Sequence, residues 1–182
     1  YHASLTILEE LGNRAGIATS YSQLGNIARE RGDYPQAEQR YHACLTIFEE
    51  LGNRAGIAAG YHQLGMIAQR RGDYAQAEQR YHASLTINEE LGNRAGIAST
   101  TSQLGVLHTE QDRAIEAVPY NLTALLIRID IDSPEARTDL YWLGEQRRAL
   151  GEETFSRLLH DHLDAENAAA LLVALDNPPD ET

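Results

Sequence analysis

Residues 12–34 read GNRAGIATSYSQLGNIARERGDY, and residues 52–74 read GNRAGIAAGYHQLGMIAQRRGDY. Aligning Tyr1 with Tyr41 and Tyr81 extends the agreement into a period of 40 residues. A fixed period of that length marks a stacked array of small units rather than one irregular core. Within a unit, Ile17, Tyr21, Leu24 and Ala28 recur at helical spacing. Gly12 and Asn13 suit a helix stop followed by an N-cap, so a helix is expected from about Asn13 to Arg31. Gly32 then ends it and Asp33 caps the next, with Gln36 three residues on as in a capping box. Tyr34, Ala37, Tyr41, Cys44, Leu45 and Phe48 continue at three-to-four spacing, which carries the second helix to about Leu51.

A lone pair of antiparallel helices cannot bury both apolar stripes, so the pairs are expected to stack into a superhelix. Gly25 and Gly65 fall mid-helix, where Gly costs roughly 1 kcal/mol against Ala. Close approach of the partner helix is the simplest compensation. Ala37, Ala77 and Ala117 are assigned the same part on the second helices.

The pattern of Tyr21, Leu24, Gly25 and Ala28 followed by Ala37, Tyr41 and Cys44 resembles the tetratricopeptide repeat over about residues 1–130. It departs from the common 34-residue form by about six extra residues in IxEELGN, where that family usually has a proline. Long units of this kind are similar to those of kinesin light chains and of large bacterial, especially actinobacterial, regulators. The resemblance implies an all-α, right-handed superhelix of stacked antiparallel helix pairs, an α-solenoid, with first helices lining a concave ligand-contacting surface. The expected divisions are the second helix of a truncated unit at 1–12, then units at 13–51, 52–91 and 92–131. A degenerate fourth unit with a helical cap follows at 132–175, then a disordered tail at 176–182.

The array decays toward its end. Asp112 stands where earlier units have Gly, Asn121 replaces the second-helix Tyr, and Pro119 is expected to interrupt the early part of that helix. From Ser133 the stretch SPEARTDLYWLGEQRRALG opens as a new capped helix, with Leu143-Gly144 set 39 residues after Leu104-Gly105. EETFSRLLHDHL and AENAAALLVAL then give two shorter helices suited to covering the end of a stack.

Fifteen Lys and Arg against 27 Asp and Glu leave a formal charge of -12. Such a chain cannot supply the phosphate neutralisation that nucleic-acid binding needs. Cys44 is the only cysteine, which excludes an internal disulfide and a Cys-based zinc site and fits a cytoplasmic setting. No apolar run spans a bilayer, so no membrane role is expected. A start at Tyr1 reads as a piece of a longer regulatory or signalling protein, and the uncovered N-terminal helix, with Leu5, Ile7 and Leu8, as a self-association surface.

The first two units differ at nine places, and six fall on the first helix: Thr19/Ala59, Ser20/Gly60, Ser22/His62, Asn26/Met66, Arg29/Gln69 and Glu30/Arg70. Apart from Ser20 they form one helical stripe. The third unit varies there too, at Ser99, Ser102, Val106, Thr109 and Glu110. Meanwhile the outer residues Glu38, Gln39, Arg40, Glu49 and Glu50 repeat unchanged. A copied framework with one altered face points to a protein-interaction module that takes a peptide or protein segment. Its expected contacts are Asn26, Arg29, Glu30, His62, Met66, Gln69, Arg70, Val106, Thr109 and Glu110. A structural scaffold that self-associates to hold effector domains together is the alternative; a small-molecule sensor lacks a recognisable pocket, and drift on a solvated face is the bland reading.

Other chemistry finds little support. The Arg-Gly-Asp triplets at 31–33 and 71–73 recur at the repeat period on a turn, where Gly and Asp serve as stop and cap. His2, His42 and His82 stack about 10 Å apart at usual helix spacings, too far to share a metal. His160-Asp161-His162 lacks a third ligand, and the sequon at Asn121 falls in a helix. With no nucleophile elbow, phosphate loop or HExxH pattern, neither an enzyme site nor a cofactor is expected. Glu9-Glu10, Glu49-Glu50 and Glu89-Glu90 crowd helix C-termini, where the macrodipole disfavours them. Arg14, Arg54 and Arg94, four to five residues later, are expected to pair with them across the turn, unless the acidic ridge attracts basic partners.

Overall fold

The computed structural model describes residues 13–177 as nine helices, with no strand among the described residues. They are α1 (Arg14–Glu30), α2 (Tyr34–Glu50), α3 (Arg54–Arg70), α4 (Tyr74–Glu90), α5 (Arg94–Glu110), α6 (Ala114–Asp130), α7 (Ala136–Leu150), α8 (Glu152–His162) and α9 (Ala165–Asp176). The truncated unit expected at 1–12, with its self-associating helix, lies outside the described residues, as does the tail from residue 178. The chain forms two compact units that meet at Gly96–Ile97.

In the first unit each helix start is fixed by a side-chain cap. Asn13 accepts from the Gly16 N–H at 2.9 Å and Asp33 from the Gln36 N–H at 3.1 Å, and Asn53 and Asp73 repeat both caps. Gly32, at φ +74°, takes the left-handed conformation that ends α1. That turn directs the Asp33 N–H to the Ala28 carbonyl at 2.9 Å, so the return half of a capping box has no donor to receive.

The mid-helix glycines mark where helices touch. A Cβ on Gly25 would stand 2.6 Å from Cε1 of Tyr41, and one on Gly65 would stand 2.7 Å from the Tyr81 ring. Each hairpin therefore closes with an aromatic ring lying on bare backbone. Between hairpins, the Phe48 ring occupies the space beside Gly56, at 2.5 Å from where its Cβ would be. Ile17, Leu45, Ile47, Ile57, Leu64 and Ile67 complete the core around Tyr41, and Ala37 and Ala77 are fully buried.

Two of the three arginines, Arg14 and Arg54, bond to a glutamate 36 residues further along the chain. Arg14 bonds to Glu50, and Arg54 bonds to Glu90 rather than to Glu49 or Glu50. Antiparallel geometry explains the correction, because it brings the start of a first helix beside the end of the second helix of the same hairpin. Other repeated outer charges are engaged too. Arg71 meets Glu38 at 2.6 Å, and the Arg40 and Arg80 guanidinium groups each lie 5.7 Å from the ring centres of Tyr21 and Tyr61. Their constancy thus has a structural cause of its own.

The second unit, from Ile97, keeps the hairpin while changing its parts. Helix α6 runs through Pro119 without interruption, contrary to expectation. At its sixth residue the proline removes one ladder donor while neighbouring turns hold the helix. Asp112 and Asp132 take the glycine positions and keep positive φ, at 59° and 53°. Asn121 lies against Gly105 in place of the tyrosine. Helix α7 starts at Ala136 rather than Ser133, whose hydroxyl is bonded to the Glu135 carboxylate. Gly144 has no side chain packed on it, so the fourth hairpin lacks the ring-on-backbone contact. Instead Phe155 and Leu159 of α8 and Ala168 and Leu171 of α9 close over Val118, Leu122, Leu125 and Leu143.

Candidate binding face

In the first unit, the variable stripe of α1 and that of α3 lie side by side, joined by Arg29, whose Nη1 approaches the Met66 sulfur at 3.4 Å. Asn26, Arg29, His62, Met66 and Gln69 are half-buried, while Glu30 and Arg70 are exposed at the helix ends. An open depression of about 280 Å³ is lined by Arg29, Glu30, Tyr34 and Arg70. These seven candidates therefore belong to one surface.

Two residues that sequence reasoning assigned only to the framework reach this face. The Tyr41 hydroxyl donates to Asn26 Oδ1 at 2.8 Å, and the Tyr81 hydroxyl donates to Gln69 Oε1 at 2.7 Å. The acceptor thus shifts by one helical turn between repeats. Where the first unit has Asn then Arg, the second has Met then Gln, and each pair supplies one amide for the invariant phenol. A buried hydroxyl left without a partner is costly, so the two positions must change together. That joint change is the signal in the sequence that would have found the tyrosines.

Electrostatics keep the face's polar rings neutral at pH 7. Burial pushes the Tyr41 phenol up to about 12, although the Arg29 charge opposes this. Burial, aided by Arg29, lowers His62 to about 4. The His62 ring tilts against that of Tyr81 with centres 5.6 Å apart. Deeper in the core, burial raises the Cys44 thiol to about 11, which makes it a poor nucleophile.

The other three candidates belong to the second unit. Val106 is 7% exposed, and Thr109 accepts from Gln146 of α7 at 2.9 Å; only Glu110 is open. Gln146 also donates to Asn121 at 2.6 Å, so a glutamine from the next hairpin occupies the place that the tyrosine hydroxyl has elsewhere.

Among the described residues, no three His, Cys, Asp or Glu side chains are placed to hold a metal, and no helix is long and apolar enough to cross a membrane. The rings of His160 and His162 are each bonded to a carbonyl four residues earlier on α8. Asn121 of the sequon is fully buried.

The tetratricopeptide repeat profile matches residues 17–51 and again 56–130. Among solved structures, the chain is similar to BtubC (BKLC) from P. vanneervenii, with a TM-score of 0.70 at 21% identity, over 93% of this chain and 68% of that one. It is also similar to a kinesin light chain-type protein from Podosopora anserina with nearly identical TPR-like repeats, with a TM-score of 0.61 at 15% identity, over 90% of this chain and 78% of that one. No curated protein matches the chain.

Proposed function

This chain belongs to the tetratricopeptide repeat family, whose repeats are generally non-enzymatic protein-interaction modules, and on that premise we propose that its variable face binds a peptide or protein segment. One observation carries the reading: the residues that differ between near-identical repeats gather on a single surface of α1 and α3. There Asn26, Arg29, Glu30, His62, Met66, Gln69 and Arg70 surround two buried tyrosines with engaged hydroxyls. Tyr41 and Tyr81 hold the floor, and the exposed Glu30 and Arg70 are the contacts a ligand meets first. Val106 is left out because it is buried, and Thr109 because Gln146 of its own unit already engages its hydroxyl.

The test is selection of displayed random peptides on the immobilised chain, followed by binding to two variants. E30R/R70E exchanges charges that support no core bond, and should weaken selected peptides by about tenfold or more, as charged anchors do when reversed. Q39A/Q79A alters the outer face and should leave binding unchanged. Peptides that tolerate the first variant and fail on the second would assign function to the outer face instead.

A further inference from the structure

Helices α1, α3 and α5 each carry a mid-helix glycine that a side chain of the next helix covers: Tyr41 lies on Gly25, Tyr81 on Gly65 and Asn121 on Gly105. Helix α7 keeps the glycine and loses the cover. Nothing stands within 4 Å of where a Cβ on Gly144 would be. Counting sixteen residues on, which reaches Tyr41, Tyr81 and Asn121 in turn, gives His160, whose exposed ring is bonded to the Ser156 carbonyl. Phe155 explains the gap. It is the fourth residue of α8, where α2, α4 and α6 have the fully buried Ala37, Ala77 and Ala117, and its ring holds α8 away from α7. An open pocket of about 450 Å³ results, lined by Gly144, Arg147, Arg148, Gly151 and Glu152, with Leu175 of α9 as an apolar wall. Arg147 fixes its rim by bonds to Glu152 at 2.7 Å and to Asp176 at 2.8 Å. Glycine inside a helix is a worse helix former than alanine, and here no neighbour in the fold needs the missing methyl group.

We propose that this pocket seats a tyrosine side chain borne by a helix of a partner protein. The residues around Gly144 repeat the surroundings of the tyrosines already seated in the chain. Tyr41 donates to Asn26, one residue after Gly25, and Arg29 follows four residues after that glycine. Glu145 and Arg148 stand at the same two places after Gly144. Arg148 donates to the Glu145 carboxylate and to the Gly144 carbonyl, the latter at 3.3 Å, which puts its guanidinium at the edge of the pocket. A carboxylate accepts several bonds, so Glu145 still has room for a phenol hydroxyl. Tyr141, 58% exposed, stands three residues before Gly144 as His62 stands before Gly65, and the centre of the His62 ring lies 5.6 Å from that of Tyr81. Glycine floor, acceptor, arginine and flanking ring are thus all present, and only the phenol is missing. Wherever this chain seats a ring on glycine a helix delivers it, so a helix is the matching carrier. The pocket lies wholly within the second unit and shares no residue with the face of α1 and α3.

The experiment uses the full chain and three 15-residue alanine-rich helical peptides that differ only at the central residue, which is tyrosine, phenylalanine or alanine. Fluorescence anisotropy should show the tyrosine peptide binding at least fivefold tighter than the phenylalanine one, and the alanine peptide not binding. G144A puts a methyl group where the ring would lie and meets nothing in the fold. It should therefore melt no lower than the parent chain, yet weaken the tyrosine peptide at least tenfold. E145L should erase the preference for tyrosine over phenylalanine while both still bind. In the isotope-labelled parent chain, the Gly144 amide resonance should shift when the tyrosine peptide is added, which reports contact directly should either variant unfold. No tyrosine-dependent binding up to millimolar peptide, undiminished binding by G144A, a tyrosine preference that survives E145L, or an unmoved Gly144 amide would overturn the proposal. So would p-cresol binding as tightly as the tyrosine peptide, which would give the pocket to a free phenol. A dimer of the parent chain that G144A dissolves would overturn it too, by giving the pocket to a second copy.

Discussion

Gly65 and Tyr81 show how one missing methyl group closes a hairpin. Alanine is the better helix former by about 1 kcal/mol, yet its Cβ would stand 2.7 Å from the Tyr81 ring. G65A should therefore lower stability by about 1–3 kcal/mol, as overpacking does, and urea denaturation reads the sign directly. A stabilised G65A would mean that the ring moves aside freely. His62 gives a second residue-scale expectation. Its folded value near 4 lies below the ordinary 6.5, so the unfolded chain binds more protons between those values and stability rises with pH across that window. The contribution is complete above about pH 6.5 and is lost as the pH falls toward 4. At pH 5 the loss is about 1–2 kcal/mol for this half-buried ring. Denaturation at pH 7 and pH 5 should show that loss in the parent chain and a smaller one in H62Q. The glycines and the variable stripe were legible in the sequence because the repeats act as each other's controls. The tyrosine hydroxyls were not, because a residue shared by the first two hairpins offers no contrast between them and its changing acceptors look like surface variation.

Among the elements, α6 is the helix with the most altered ends. Its predecessors start at an aspartate cap after a left-handed glycine, whereas α6 follows Asp112 at φ 59° and Arg113, which makes no side-chain cap bond. Restoring both residues with D112G/R113D relieves the left-handed aspartate and supplies a cap usually worth about 1 kcal/mol. Against this stands the exposed Arg113–Glu116 pair, worth under about 1 kcal/mol. A net gain of about 1 kcal/mol is expected in chemical denaturation, and a net loss would show that Arg113 does more than bond Glu116. Helix ends were readable wherever Asn or Asp follows Gly, since those types serve the same turn in every copy. They were misread at Pro119 and Ser133. A proline early in a helix removes one bond without ending the helix, and a serine hydroxyl bonded to Glu135 is unavailable as a cap.

At the scale of the whole molecule, the two units hold themselves together by different means. The first relies on rings, small residues and surface ion pairs; the second also buries charge. Asp139 accepts from Ser102 Oγ and from Arg128 Nη1, each at 2.6 Å, tying α5, α6 and α7 together. Burial raises the Asp139 carboxyl, and these bonds oppose the rise. D139N would strand the Arg128 guanidinium in the core and should cost about 3–5 kcal/mol. R128M/D139L, which removes both charges, should recover much of that loss. If D139N melts like the parent chain, water must already reach the pair. None of this network was legible beforehand, because Arg128 sits where other repeats have Phe48 and Asn88, Asp139 sits where none of them has an acid, and no copy elsewhere in the chain repeats the pairing.

The seating of Phe48 beside Gly56 bears on how such a chain changes length. Gly16 stands one period before Gly56 in an identical NRAGIA context. A tandem duplication of the segment encoding residues 13–52 would therefore present the same ring to the same vacancy at its one new junction, and the added hairpin would bring its own Arg14–Glu50 clasp. The gene can thus lengthen or shorten by whole hairpins through unequal crossing-over without creating an ill-fitting seam. Repeat number is then a quantity on which selection can act separately from sequence.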